Sequence, residues 1–200
     1  MPGISYDIKR MILGAYVIVL PLFVISQNKI IDSLEGLIKI EKNDSVRSLI
    51  LIDLASNYSG YDTLNARHFF QEAYRINRAN NWDYNWGYYY QWYSNYLYVR
   101  GLYDKSLQIS DTALLFLKKL EKSSNLAIRN AAAFQVAETV MGIGATYGAM
   151  EQPEEAIKKY QESLQLFEAS NNPQKRRKIA TVYNNIATVF FLLDKYEKGL

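Results

Sequence analysis

The stretch Val140-Met-Gly-Ile-Gly-Ala-Thr-Tyr-Gly-Ala-Met-Glu-Gln-Pro-Glu-Glu-Ala-Ile-Lys-Lys-Tyr-Gln-Glu-Ser163 decides how the chain is read. Val140, Ile143, Gly144 and Tyr147 recur at helical spacing, a turn opens at Glu151, and Ala156, Tyr160 and Ser163 resume the period. Two amphipathic helices joined by a short turn follow from that pattern. Small residues at facing positions let the two helices approach closely, and the large ones fill the groove between them.

The same arrangement recurs along the chain. Gly101-Leu-Tyr-Asp-Lys-Ser-Leu through Ala113, and Asp194-Lys-Tyr-Glu-Lys-Gly-Leu200, each open with a turn and place a small residue (Ser106, Gly199) five positions on. An earlier copy runs Asp62-Thr-Leu-Asn-Ala66, Phe70, Ala73. Upstream of each turn lies a second periodic segment, with cores Leu54-Ala55-x-x-Tyr58, Tyr93-Ser94-x-x-Leu97, Ile143-Gly144-x-x-Tyr147 and Ile186-Ala187-x-x-Phe190. Self-similarity at such periods is the signature of a solenoid.

These residues resemble the tetratricopeptide repeat (TPR), whose first helix carries a large residue, Leu-Gly and Tyr, and whose second carries Ala, an aromatic and Ala. Repeat three matches best. In repeat two Ser110 stands where the second helix has its aromatic, and repeat one has a turn one residue shorter when measured between its small residues. The resemblance implies an all-α fold, a right-handed solenoid of helical hairpins with about four repeats, the last incomplete. The repeats are expected over about 46–82, 84–122, 126–170 and 174–200. Their small positions at 66, 106, 156 and 199 are 40, 50 and 43 residues apart, longer than the roughly 34 of the standard repeat. Longer helices and polar loops at Asn77–Asn81, Glu121–Asn125 and Ser170–Pro173 are expected to hold the surplus.

The first residues read as an address rather than a fold. Lys9 and Arg10 precede the uncharged run Met11–Ile25, closed by Ser26, which is the pattern of a secretory signal peptide over residues 1–26, cut before Gln27. The run is shorter than the roughly 18 to 20 residues a membrane-spanning helix needs, and Pro21 interrupts it. Next, Ile30, Ile31, Leu34, Leu37 and Ile38 form an apolar stripe, read as a capping helix within residues 27–45 that covers the first repeat. At the other end, a second helix reaching only Leu200 would leave the Tyr183–Leu193 helix with an open apolar face, so the sequence is expected to be a fragment of a longer product.

Composition narrows function mainly by exclusion. The chain has no Cys and one His among 200 residues, which excludes thiol nucleophiles, disulfides and cysteine zinc sites and argues against a histidine triad. A formal charge of +3 is too small to imply nucleic-acid binding. Met141-Gly-Ile-Gly lies mid-helix and lacks the third glycine of a phosphate loop, so Gly144 is read as a packing position. Lys175-Arg-Arg-Lys178 reads as the solvated first turn of a helix, and His68 as a surface residue. No catalytic, metal or cofactor-binding residue is expected.

The unusual feature is the run Tyr84-Asn-Trp-Gly-Tyr-Tyr-Tyr-Gln-Trp-Tyr-Ser-Asn-Tyr-Leu-Tyr98, in a chain with 17 Tyr. Tyr89, Tyr90, Tyr93 and Leu97 are assigned to the core. By the family's geometry the first helix of each hairpin lines a concave groove. That places Leu49, Ile52, Asp53 and Ser56, then Tyr88, Gln91, Trp92, Asn95 and Tyr98, then Glu138, Met141, Gly142 and Ala145, then Thr181, Asn184, Asn185 and Thr188 on the groove. Trp92, Tyr88, Asn95, Tyr98, Gln91, Asn184 and Asn185 are the expected partner contacts. Some TPR domains clamp a terminal carboxylate with Lys, Arg and Asn here, and no Lys or Arg falls in this set. Aromatics and amides suit a peptide or protein surface without strong charge. The expected function is an exported interaction module. It resembles the sensor region of bacterial histidine kinases or helix-turn-helix regulators, with a free-standing adaptor as the alternative. The membrane enters only through the signal peptide or a missing C-terminal segment.

Overall fold

The structure, a computed structural model, describes residues 29–198. The signal-peptide and cleavage readings, and the positions Gly199 and Leu200, lie outside the described residues. Within them the chain forms eight helices and no strand: α1 (29–40), α2 (Asp44–Tyr58), α3 (Thr63–Asn80), α4 (Asp83–Val99), α5 (Tyr103–Leu120), α6 (Leu126–Ala149), α7 (Pro153–Ala169) and α8 (Lys175–Lys198). None of these is long and apolar enough to cross a membrane.

Local chemistry sets the boundaries. The side chains of Asn43, Asp62 and Asn125 accept hydrogen bonds from the first free N–H groups of α2, α3 and α6, and Pro153 opens α7, where its missing N–H costs nothing. Between α4 and α5 the chain reverses through Gly101 at φ +72°, and between α6 and α7 through Glu151 at φ +58°. Glycine takes that left-handed conformation freely, whereas glutamate adopts it against its own Cβ. In the first hairpin α2 stops at Tyr58 and Asp62 caps α3, so no left-handed residue is used.

Three antiparallel hairpins, α2/α3, α4/α5 and α6/α7, stack in order, and α8 packs on α6 and α7. The first helices of the hairpins also touch one another in series, α2 to α4, α4 to α6 and α6 to α8. This is a TPR-type helical solenoid. Each hairpin closes at two points. Near the turn, Gly144 faces Ala156 and Tyr160, and in α4/α5 Ser106, at the position of Ala156, donates its hydroxyl to the Ser94 carbonyl at 2.8 Å. Farther out, Gly87 lies under Leu117, and Ser163 donates to the Ala137 carbonyl at 3.0 Å. Serine thus does the work of alanine while satisfying a carbonyl of the partner helix.

The core is serial rather than central. Leu51, Ile52, Phe70 and Tyr89 fill the first interfaces, Leu117, Ala132 and Val140 the middle one, and Phe134, Tyr160, Phe167 and Val182 the last. Each fully buried large side chain contributes about 1.5–3 kcal/mol relative to exposure. Ile31, Leu34 and Ile38 of α1 pack on Ile50 and Leu54 of α2. Arg47 ties the end of α1 by donating to the carbonyls of Ile38 at 3.0 Å and Glu41 at 2.8 Å.

Asn77 corrects a sequence expectation. The sequence predicts a polar loop at Asn77–Asn81, yet α3 continues to Asn80 and Asn77 is fully buried. The Ser48 hydroxyl donates to its Oδ1, and its amide donates to the Asn85 carbonyl at 3.3 Å. Asn85 in turn exchanges hydrogen bonds with Ser45. This network locks α2, α3 and α4 into one register, and its polarity was the reason it read as loop.

Two glycine-related substitutions test the geometry with opposite signs. A Cβ on Gly144 would lie 2.9 Å from the Tyr160 ring and 3.2 Å from the Ala156 carbonyl oxygen. Gly144→Ala is therefore expected to destabilise by about 1–3 kcal/mol despite alanine's better helix propensity. Glu151→Gly removes the left-handed strain and is expected to stabilise by up to about 1 kcal/mol. Urea denaturation followed by circular dichroism measures both.

Candidate functional site

The core absorbs most of the aromatic helix. Trp86 and Tyr89 are buried, and Tyr90, Tyr93 and Tyr96 pack against the same cluster. Phe70 of α3 meets Tyr89 and Tyr93 edge-on at 5.8 and 5.3 Å, and Tyr90 stacks on Phe116 of α5 at 5.7 Å. Tyr88 and Trp92 also pack against this cluster from another side of α4. Tyr84 stacks on Tyr88 with rings 6.2 Å apart, and Trp92 meets Tyr88 edge-on at 6.2 Å. Residues 84, 88, 92 and 95 recur at three- and four-residue steps, which puts them on one helical face.

At that level a polar belt crosses all four parallel helices. Tyr88 of α4 donates its hydroxyl to Asp53 Oδ1 of α2 at 2.5 Å. The Gln91 amide donates to Glu138 Oε2 of α6 at 3.4 Å, and Lys178 of α8 forms an ion pair with Glu138 Oε1. Each neighbouring pair of first helices is thus joined by a polar contact at this level. Desolvation raises the Asp53 carboxyl above its ordinary range, although the Tyr88 hydrogen bond pulls the other way. Tyr88 moves upward strongly, through burial first and then the nearby Asp53 charge. Neutral tyrosine is the form that can donate, so the Tyr88 shift agrees with the observed bond, while the Asp53 shift reflects burial.

Beside the belt, α4 and α6 enclose a cleft of about 130 Å³ with Lys178 at its α8 side. Gln91, Trp92, Asn95 and Tyr98 form one wall, and Glu138, Met141, Gly142 and Ala145 the other. Four of the expected contacts therefore line a single cleft, while Tyr88 sits in the belt next to it. Gln91 is only 8% exposed, so it forms the floor rather than the rim. Asn184 is exposed and lines neither cavity. Asn185 lines a second, larger one of about 630 Å³, with Tyr98, Tyr160, Thr188 and Val189.

Two assignments differ from the sequence reading. Ile52, mapped to the groove, is fully buried in the core because α2 and α4 close over it. Lys178, read as part of a solvated turn, has a side chain only 18% exposed and faces Glu138. Its neighbour Lys175 points the other way and donates to the carbonyls of Glu168 and Ser170 at the end of α7. One signal for Lys178 was present: it lies four residues before the buried Val182, on the inward face of α8. His68 is exposed and lies 3.6 Å from Glu72. Among the described residues no cluster of His, Cys, Asp and Glu is arranged to hold a metal.

Residues 135–198 match the tetratricopeptide repeat family, spanning most of α6, α7 and α8. No curated protein matches the chain. The family match and the helical-hairpin architecture agree on a TPR-type repeat fold; TPR repeats generally mediate protein–protein interaction and are typically non-enzymatic.

Asp53 gives a pH test. Its pKa is raised in the folded state, so its neutral form favours folding; that contribution is full below the ordinary value of 3.8 and is lost as pH rises through the elevated one. Asp53→Asn keeps an acceptor for Tyr88 and has no charge to bury. The variant is expected to be more stable than the parent at pH 7, with the difference shrinking to nothing as pH falls below 3.8. Urea midpoints measured from pH 3 to 7 check this.

Proposed function

We propose that the concave face formed by α2, α4, α6 and α8 binds a peptide or protein segment, and that the chain is the extracytoplasmic sensor region of a bacterial signal-transduction protein. The observation that carries the first part is the α4–α6 cleft. It is a concave site walled by Trp92, Tyr98 and Met141, with amide and carboxylate groups at its floor. Large aromatic side chains beside fixed polar groups are the composition of interface hot spots. The site has no nucleophile paired with a base, which favours binding over turnover.

The sensor part rests on sequence. The basic, apolar and small-residue segments of residues 1–26 support export, and lengthened repeats behind such a segment resemble the exported region of histidine kinases and helix-turn-helix regulators. A secreted or periplasmic adaptor without signalling output is the alternative. An open reading frame beyond codon 200 that encodes a membrane span and a cytoplasmic domain favours the sensor; a stop codon within a helix's length favours the adaptor.

Groove binding is tested by selecting peptides from a displayed random library against the full chain and measuring their affinities. Trp92→Ala and Asn95→Ala are expected to weaken selected peptides about tenfold, as truncation at a hot spot does. Lys105→Ala, on the exposed side of α5, is expected to leave them unchanged. Peptides indifferent to both groove substitutions overturn the reading.

A further inference from the structure

We propose that the open face of α8 docks a second copy of this chain, α8 against α8 in antiparallel order about a two-fold axis. The surface is separate from the α4–α6 cleft, and the proposal goes beyond the groove-binding reading.

In each of the three hairpins the second helix covers the first. For α8, nothing among the described residues does so. The sequence pattern places a turn at Asp194, yet α8 runs unbroken from Lys175 to Lys198 and packs on α6 and α7. Another side of it carries Arg176, Ala180, Tyr183, Ala187, Phe190 and Asp194, all exposed. Steps of four and three residues alternate along that series, which makes it one continuous stripe with the period of a coiled-coil seam. Tyr183 and Phe190 are more than half exposed on the stripe, and Phe191 beside it is 64% exposed. A contiguous apolar patch of this kind marks an interaction surface.

The order of residues along the stripe identifies the occupant. A two-fold interface is self-complementary, so that where one residue meets a second, the second meets the first. Centring the axis between Tyr183 and Ala187 sets Tyr183 against Ala187 of the copy, Ala180 against Phe190, and Arg176 against Asp194. A single register thus matches small with large at every apolar position and basic with acidic at both ends. The alanines let the two helices approach as Gly144 and Ala156 do inside a hairpin, and the rings fill the space between them. Arg176 lies in the first turn of α8, where the positive end of the helix dipole opposes it. An antiparallel copy brings the negative end of its own helix toward that place. A parallel pair would set Tyr183 on Tyr183, Phe190 on Phe190 and Arg176 on Arg176, and would lose every one of these matches.

The experiment is analytical ultracentrifugation of the full chain from about 1 to 200 µM, the span in which a small interface associates. Each variant is compared with the parent, which tells the α8 interface apart from association through the apolar run Met11–Ile25. The parent is expected to pass reversibly from monomer to dimer. Phe190→Lys puts a charge in the seam and is expected to weaken the dimer about tenfold or more, with the circular dichroism of the folded chain retained. Ala187→Leu adds apolar surface but blocks the approach of Tyr183, and is expected to weaken it as well. Arg176→Glu and Asp194→Arg each turn two attractive contacts per dimer into repulsive ones, and each is expected to cost about tenfold in affinity. Combined, they reverse the pair and are expected to restore the parent's affinity within about threefold. Arg176 and Asp194 stand about 27 Å apart along one helix, so such a rescue acts only between copies. A parent that stays monomeric overturns the proposal and leaves the face to another protein or to a following helix. A dimer indifferent to Phe190→Lys, one tightened by Ala187→Leu, or a charge reversal without rescue also overturns it. Peptide binding at Gln91, Trp92, Asn95 and Tyr98 stands or falls separately, because those residues lie on α4.

Discussion

Close approach of helix backbones at small residues is the constraint on which everything else in this molecule depends. Gly144 lies directly beneath the Tyr160 ring, and Gly87 beneath Leu117, with no room for a single added carbon. Those contacts set the distance between the helices of a hairpin. The hairpins so formed then stack through α5 against α6 and α4 against α6, and the cleft lies at that second contact. Ser94, Ser106 and Ser163 extend the same logic, since a hydroxyl at the contact brings the helices together and satisfies a carbonyl at once.

The belt from Asp53 through Tyr88, Gln91 and Glu138 to Lys178 is a second layer built on that spacing. Ion pairs removed from water are poor sources of stability, because desolvation offsets much of their attraction. Their better-attested role is to specify register. Here a polar contact of the belt joins each successive pair of first helices, and the Ser48–Asn77–Asn85 network does the same between α2, α3 and α4. Apolar packing holds the hairpins together, and the polar contacts choose which turn of one helix meets which turn of the next.

How much of this was legible in the sequence follows from how local each feature is. The hairpins were, because small and large residues repeat at fixed offsets around each turn, as in Ser94 and Ser106 or Gly144 and Ala156. Four of the seven expected contacts, Gln91, Trp92, Asn95 and Tyr98, line the cleft, because the family's groove geometry joined to helical periodicity puts them on one face of α4. The failures involve side chains whose environment is set by a different helix. Asn77 read as loop because its partners, Ser48 and Asn85, are contributed by α2 and α4. Lys178 read as solvated because its carboxylate lies forty residues away in the chain, on α6. Ile52 read as groove-lining because the family's geometry does not show how deeply α4 closes over α2.

From α2 to α8, every helix touches only its immediate neighbours in the stack, and no contact links α2 to α6 or α4 to α8. Mechanically, such an object is a spring rather than a block. Tension applied along the stack is resisted by one interface at a time, so extension proceeds by hairpins opening in sequence instead of by a single rupture. The weakest coil governs the compliance of the whole, and a ligand wedged between α4 and α6 would stiffen that segment without altering the others.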